Sequence, residues 1–354
     1  MARRPRLDPA IFNLPVERMR QGYYSDKYFV RAREVLLADG HRPRVLMQVF
    51  SKGQAYLVGI DEAIAILKLC GVEWPELTVQ ALYDGDEIRP WETVLTVEGP
   101  YDAFAHLETL YLGVLARRTR VGTNTRLVVD AAKPKEVMFF PARHDHWRVQ
   151  TGDGYAAHIA GAIGVSTDAQ ASWWGSEGIG TVPHAIIAAY GGDTVQASRK
   201  FAEYTPEHVR LITLVDFDND SVGTSLAVAR ALGSRLYGVR LDTSETIVDK
   251  SIIPQMGHFH PTGVTPQLVL NVRRALDREG FQHVKIVVSG GFDVEKIRHF
   301  EELGVPVDAY GVGSSLFRGG GRFDFTADVV MVDGKACAKT GREYRDNPRL
   351  ERVT

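Results

Sequence analysis

Apolar positions change rhythm about a third of the way along the chain. Up to Val121 the pattern is mixed: a helical period over Ser25–Leu37, with Ser25 as its cap and Asp26 in its first turn, then a strand over Val45–Phe50 and a helix over Asp61–Leu69. Leu77–Tyr83 and Thr93–Val97 read as strands flanking the turn signal Asp84-Gly85-Asp86, and Tyr101–Arg118 has the spacing of a long helix. Residues 1–121 are expected to form an α+β domain with a small antiparallel sheet.

From Lys135 strand and helix signals alternate. The strands are Val137–Phe140, Ala169–Trp173, Leu211–Phe217, Leu236–Leu241, Val284–Val288 and Ala309–Val312. The helices between them are Tyr155–Ile163, Val182–Tyr190, Val222–Leu232, Pro266–Arg278 and Val294–Leu303. Alternation of this kind calls for a parallel sheet with right-handed crossovers, an α/β barrel that is irregular or incompletely closed. Phe323–Asp333, with a turn at Asp333-Gly334, reads as a strand pair returning to the first domain. The expected division is thus 1–121 with the tail 323–354, and a barrel over 122–322.

In such a barrel chemistry collects at the carboxyl ends of the strands. Two late strands end in glycines, Val288-Ser289-Gly290-Gly291-Phe292-Asp293 and Tyr310-Gly311-Val312-Gly313-Ser314-Ser315. Glycine lets backbone N–H groups approach a ligand closely, and the helix after Asp293 adds its positive end, a geometry that suits phosphate. Neither motif has the Gly-Lys-Ser/Thr of a nucleotide loop or the Gly-x-Gly-x-x-Gly of a dinucleotide fold, so a simple sugar phosphate fits better than a nucleotide. Arg240 and Asp242 are i and i+2 on one strand end and share a face. They can grip a ligand or form an internal ion pair, and the residues alone leave both open. His184 follows Thr181, a candidate helix cap, and is open in the same way between a structural and a catalytic role. His144, Asp145 and His146 are adjacent, and neighbours in a turn rarely converge on one metal ion. Trp173 and Trp174 are most simply packing residues.

Composition narrows the class. The 354 residues are 44% apolar with a formal net charge of −2 and basic residues scattered rather than striped, so nothing marks a nucleic-acid surface. No apolar run approaches the ~20 residues of a membrane span, and the N-terminus lacks a signal-peptide core, which together set the expectation of a cytoplasmic protein. Cys70 and Cys337 are too few for a disulfide framework or a four-cysteine zinc site. Small molecules and a second copy of the chain are the expected partners.

The motifs, taken in order, resemble those of nicotinate phosphoribosyltransferases, the type II phosphoribosyltransferases of NAD biosynthesis. The resemblance rests on Ser25-Asp26-Lys27-Tyr28-Phe29-Val30-Arg31, Leu107-Glu108-Thr109-Leu110, Gly180-Thr181-Val182-Pro183-His184, Leu211-Ile212-Thr213-Leu214-Val215-Asp216, Gly238-Val239-Arg240-Leu241-Asp242-Thr243 and the two glycine motifs. It implies transfer of phosphoribose from 5-phosphoribosyl 1-pyrophosphate to nicotinate, with Mg2+ accompanying the pyrophosphate and ATP hydrolysis coupled. It further implies that Ser289, Gly290, Gly291, Gly311, Gly313 and Ser314 hold the 5-phosphate, Asp242 the ribose hydroxyls, with Thr243 also binding the phosphoribosyl pyrophosphate, and Tyr28, Arg143 and Arg240 the nicotinate. His184 falls where the family carries a phosphorylatable histidine, so His184, Asp242 and Arg240 are the expected catalytic set. A homodimer is implied, with the active site completed across the interface by Tyr28. The chain departs from the family in carrying His144 where a second arginine is common, and Asp216-Phe217-Asp218 where an Asp-Thr run is more usual.

The chemistry agrees with this allocation. A pyridine nitrogen is unprotonated at neutral pH, so attack at the sugar carbon needs no strong base, only positioning and charge stabilisation. The alternatives within the fold are quinolinate, whose two carboxylates call for more cations, and nicotinamide, which calls for none. From a different class, the chain could be a non-catalytic sugar-phosphate sensor.

Overall fold

Strand β1 (Arg44–Ser51) is buried almost without alternation, the mark of a strand covered on both faces. The structure, a computed structural model, describes residues 4–257 and 259–354 and divides into two compact units. The first takes the chain up to Asn124, Tyr155–Ala160 and Gly320–Thr354. It opens with α1 (Val16–Arg20) and α2 (Lys27–Asp39). Ser25 does not cap α2: Asp26 holds that position without a side-chain bond, and the Ser25 hydroxyl instead donates to the His106 carbonyl. After β1 come β2 (Ala55–Tyr56), α3 (Ile60–Cys70), β3 (Thr78–Ala81), β4 (Glu87–Ile88) and β5 (Thr93–Pro100). β5 lies antiparallel between β1 and β3, and β2 pairs with β4. The helix expected from Tyr101 begins only at Glu108, because Tyr101–Leu107 is wound into two short 3-10 turns, and α4 then runs from Glu108 to Ala132.

The second unit is the barrel. Its strands β6 (Glu136–Phe139), β7 (Gly164–Val165), β8 (Leu211–Leu214), β9 (Leu236–Leu241), β10 (Lys285–Val288) and β11 (Ala309–Val312) are all parallel, in the order β7-β6-β11-β10-β9-β8. The two edges are linked by an irregular stretch: Ile179 N–H donates to the Val165 carbonyl at 2.7 Å, and Val182 bridges in parallel to Thr213. Met138, Ile212, Val287 and Ala309, from four strands, pack with Phe140, Ile179 and Tyr237 as one filled layer. The alternating chain supplies α5 (Gln150–Ile159), whose residues from Tyr155 on count with the first unit, then α6 (Asp168–Ala171), α7 (His184–Ala189), α8 (Thr194–Tyr204), α9 (Ser221–Leu232), α10 (Pro266–Arg278), α11 (Val294–Glu302) and α12 (Ser315–Arg318). One strand was misplaced by the sequence pattern. Ala169–Trp173 is helical, since the Thr167 hydroxyl caps α6 by accepting from Gln170 N–H at 3.2 Å, and the strand is the short Gly164–Val165 before it.

The tail then adds β12 (Phe325–Val332), β13 (Lys335–Ala336) and β14 (Glu351–Arg352) to the first unit's sheet, which reads β13-β12-β1-β5-β3-β14. The β12–β13 turn is the expected Asp333-Gly334, with φ of +48° and +74°, the pair of left-handed residues a tight hairpin needs. Buried Gln48 of β1 ties the tail down, donating to the Glu343 carbonyl at 2.8 Å and accepting from Arg345 N–H at 3.0 Å.

Two buried carboxylates hold the start of the chain against α3. Asp61 accepts from Arg4 at 2.9 Å, Arg6 at 3.0 Å and the Leu7 N–H at 3.0 Å, while Asp84 accepts the Ile60 N–H at 2.7 Å. Burial, then the neighbouring Asp61, push Asp84 up to about 7 against the pull of Arg4. A folded-state value above the unfolded one means that the stabilisation from protonated Asp84 is complete below about pH 4. That stabilisation is lost as pH rises through about 7. Asp84→Asn, fixed neutral, should flatten that fall in stability, measured as chemical denaturation midpoints across the range. Arg6→Met should lower stability by about 3 kcal/mol, the low end for breaking a buried pair because Arg4 remains. An unshifted melting temperature in Arg6→Met would show that the Arg6–Asp61 pair contributes nothing.

Candidate active site

At the carboxyl end of β9 the period-2 alternation puts Arg240 and Asp242 on one side. The Arg240 guanidinium is shared among three segments: Nε donates to Ser289 Oγ at 2.7 Å, Nη1 to Thr181 Oγ1 at 3.2 Å and Nη2 to Asp242 Oδ2 at 3.2 Å. Ser289 in turn donates to Asp242 Oδ1 at 2.7 Å, so one hydroxyl bridges cation and carboxylate. The Phe140 ring lies 5.2 Å from the guanidinium carbon. Arg240 and Asp242 are 19% and 21% exposed, dry enough to strengthen the pair and open enough to meet a ligand.

The glycines beside this bridge are needed for two different reasons. Gly290 and Gly291, after β10, have φ of +81° and +70°, which side chains rarely adopt. At the next strand the constraint is space. A Cβ at Gly311 would stand 2.6 Å from the Phe140 ring and 3.4 Å from the Ser289 Cβ, and one at Gly313 would stand 3.0 Å from the His144 ring. Pairing of Val288 with Tyr310 sets the two glycine turns side by side. Thr243, just past Asp242, is buried, and its hydroxyl has no hydrogen-bond partner among the described residues. Ser314 precedes α12 and makes no capping bond, whereas Ser315 donates to the Phe292 carbonyl at 2.7 Å and so joins the two turns.

His184 is the first residue of α7, with Nε2 3.1 Å from Asp216 Oδ1. That hydrogen bond is the main reason its pKa is raised, with Asp242 adding to it and Arg240 opposing. Thr181 is not the cap of α7; Pro183 holds that place, and Arg240 has the Thr181 hydroxyl. Arg143 and His144 lie on the exposed 3-10 turn after β6. Partial burial, then Arg143 and Arg318, push His144 down. Asp145 and His146 shape the turn, accepting from His146 N–H at 2.6 Å and Arg148 N–H at 3.2 Å. Tyr28 belongs to the first unit, on the first turn of α2, 63% exposed with its ring 4.2 Å from that of Phe29.

This chain is similar in fold and sequence to the crystal structure of nicotinate-nucleotide pyrophosphorylase from Pyrococcus furiosus, with a TM-score of 0.80 and 32% identity over 96% of this chain and 85% of that one. Nicotinate phosphoribosyltransferase pncB1 of Mycobacterium tuberculosis is 31% identical over 272 residues, and the enzyme of that name from Bacillus subtilis is 22% identical over 327. The chain belongs to the nicotinate phosphoribosyltransferase family. The family model described as quinolinate phosphoribosyl transferase, N-terminal domain, matches residues 26–119. The Mycobacterium and Bacillus alignments take in 75% and 83% of this chain but only 56% and 63% of those relatives' length.

For this member of the nicotinate phosphoribosyltransferase family, the sequence motifs missed Phe140 beneath Arg240, the Asp216 partner of His184, and Lys296, whose ammonium lies 3.3 Å from the Gly290 carbonyl. Asp216 alone carried a signal, as a charged residue at the end of an apolar strand. Asp216→Asn should lower the His184 pKa, read from the imidazole resonances in an NMR titration. An unmoved titration would assign the shift to Asp242 instead.

Proposed function

We propose that this chain transfers the phosphoribosyl group of 5-phosphoribosyl 1-pyrophosphate to nicotinate, giving nicotinate mononucleotide and pyrophosphate. The observation that carries this reading is the Arg240–Ser289–Asp242 bridge set beside the Gly290-Gly291 turn. One strand end then offers a cation for a carboxylate, an acceptor for sugar hydroxyls and backbone N–H groups for a phosphate. The names of the relatives from Mycobacterium tuberculosis and Bacillus subtilis support it.

In this reading Gly290, Gly291, Gly311, Gly313 and Ser314 take the 5-phosphate by their backbone, with Ser289 beside them, and Asp242 and Thr243 take the ribose. Arg240 and Arg143 meet the nicotinate carboxylate, and a second copy of the chain supplies Tyr28 in a homodimer. Developing charge on the sugar and the departing pyrophosphate is met by fixed groups, so no base is required. Mg2+ accompanies the pyrophosphate, held largely by substrate oxygens as is usual for that ion. Among the described residues no cluster of three His, Cys, Asp or Glu side chains forms a cage for it. His184, held by Asp216, is the proposed phosphate acceptor through which ATP hydrolysis is coupled. No helix among the described residues is long and apolar enough to cross a membrane, in keeping with the cytoplasmic location proposed.

Quinolinate is the second reading, favoured by the family model that matches residues 26–119. Against it, two carboxylates call for more cations than Arg143 and Arg240 supply, with His144 standing beside Arg143 in place of a further arginine. Pyrophosphate release with nicotinate, nicotinamide or quinolinate, each with and without ATP, decides between them. Turnover is expected with nicotinate. Arg240→Ala and Arg143→Ala should each lower kcat/KM for nicotinate roughly 10- to 100-fold, the worth of one charged hydrogen bond. Full activity in both variants would overturn the carboxylate assignment, and binding of the sugar phosphate without turnover would make the chain a sensor.

A further inference from the structure

Lys296 is in the first turn of α11, three residues after Asp293, whose carboxylate caps the helix by accepting the Lys296 N–H at 2.9 Å. Helical side chains lean toward the N-terminus. The Lys296 ammonium accordingly reaches back to donate to the Gly290 carbonyl at 3.3 Å, with the Phe292 ring centroid 4.3 Å away. The charged groups acting on it are Asp293 on its own helix and Glu245 on the loop after β9. Glu245 also lines the turn, with Oε2 3.6 Å from where a Cβ on Gly291 would stand.

A planar trans peptide points its C=O and its N–H in opposite directions. A Gly290 carbonyl tethered to the ammonium therefore turns the Gly291 N–H away from Lys296. Among the described residues neither the Gly290 nor the Gly291 N–H has a protein partner. Two successive left-handed glycines would otherwise be the least constrained peptide of the site, because no side chain limits their rotation.

We infer that Lys296 is a positioning residue that fixes the Gly290–Gly291 peptide so that the Gly291 N–H faces the phosphate of the sugar substrate. The inference rests on reading the glycine turn as a phosphate cup. Burial pulls the Lys296 pKa down, so the tether is released toward alkaline pH earlier than an ordinary lysine would release it.

The test is titration calorimetry with ribose 5-phosphate, together with steady-state kinetics, on wild type, Lys296→Met and Lys296→Arg. Methionine keeps an apolar stem beside Phe292 and removes the charge; arginine keeps a cation that stays protonated. Lys296→Met should weaken ribose 5-phosphate binding about ten-fold and raise KM for phosphoribosyl pyrophosphate by a similar factor, while kcat stays within about two-fold. Lys296→Arg should restore binding and abolish the alkaline loss of affinity expected of the wild type. Wild-type affinity in Lys296→Met, or an alkaline loss that persists in Lys296→Arg, overturns the inference alone. Wild-type protein that binds no ribose 5-phosphate overturns the phosphate cup, and the inference with it.

Discussion

The Arg240 guanidinium is the interaction on which the candidate site depends. A half-buried cation has to satisfy its donors, and this one does so on Thr181 of the edge-linking stretch, Ser289 after β10 and Asp242 of its own strand. Because the Ser289 hydroxyl both accepts from Arg240 and donates to Asp242, neither charge is left facing the other unsupported. Three chain segments far apart in sequence are thereby held in register at the end of a parallel sheet, and the glycine turn starts from that fixed point. The same bridge keeps Asp242 oriented, so that the carboxylate is presented rather than free to swing.

Parallel strands explain why so much converges there. Every strand of the second unit runs the same way, so every strand-to-helix turn opens at one end. A strand end also leaves backbone N–H groups unpaired, and glycine is the residue that can turn them outward without a clash. Space decides the other two glycines: at Gly311 and Gly313 the Phe140 and His144 rings occupy the room that a Cβ would need. The first unit is built on the opposite plan, an antiparallel sheet whose middle strand β1 is flanked by β5 and by β12, from the other end of the chain. Its buried charges, Asp61 with Arg4 and Arg6, fasten a segment that has little apolar surface of its own.

The fold was legible where the period was strong. The alternation of strands and helices after Lys135 gave the barrel, and Leu236–Leu241, Pro266–Arg278 and Ala309–Val312 have the same limits in sequence and structure. It failed where local chemistry outweighed hydrophobic spacing. The Thr167 cap made a helix of Ala169–Trp173, and Tyr101–Leu107 tightened into 3-10 turns before α4 could start. Ser25 and Thr181 look like caps in sequence, yet both hydroxyls are engaged by groups distant in the chain, His106 and Arg240.

The sequence by itself determined the class of fold, the strand ends at which charge gathers, and the residue types there, because alternation, glycine and capping signals are local properties of a chain. Tertiary structure alone decided which of those residues act together. That Ser289 links Arg240 to Asp242, that Phe140 lies under the guanidinium, and that Asp216 raises His184 all follow from which strands of the barrel are neighbours. Strand order is set by packing and crossover geometry over the whole unit, and no short stretch of residues encodes it.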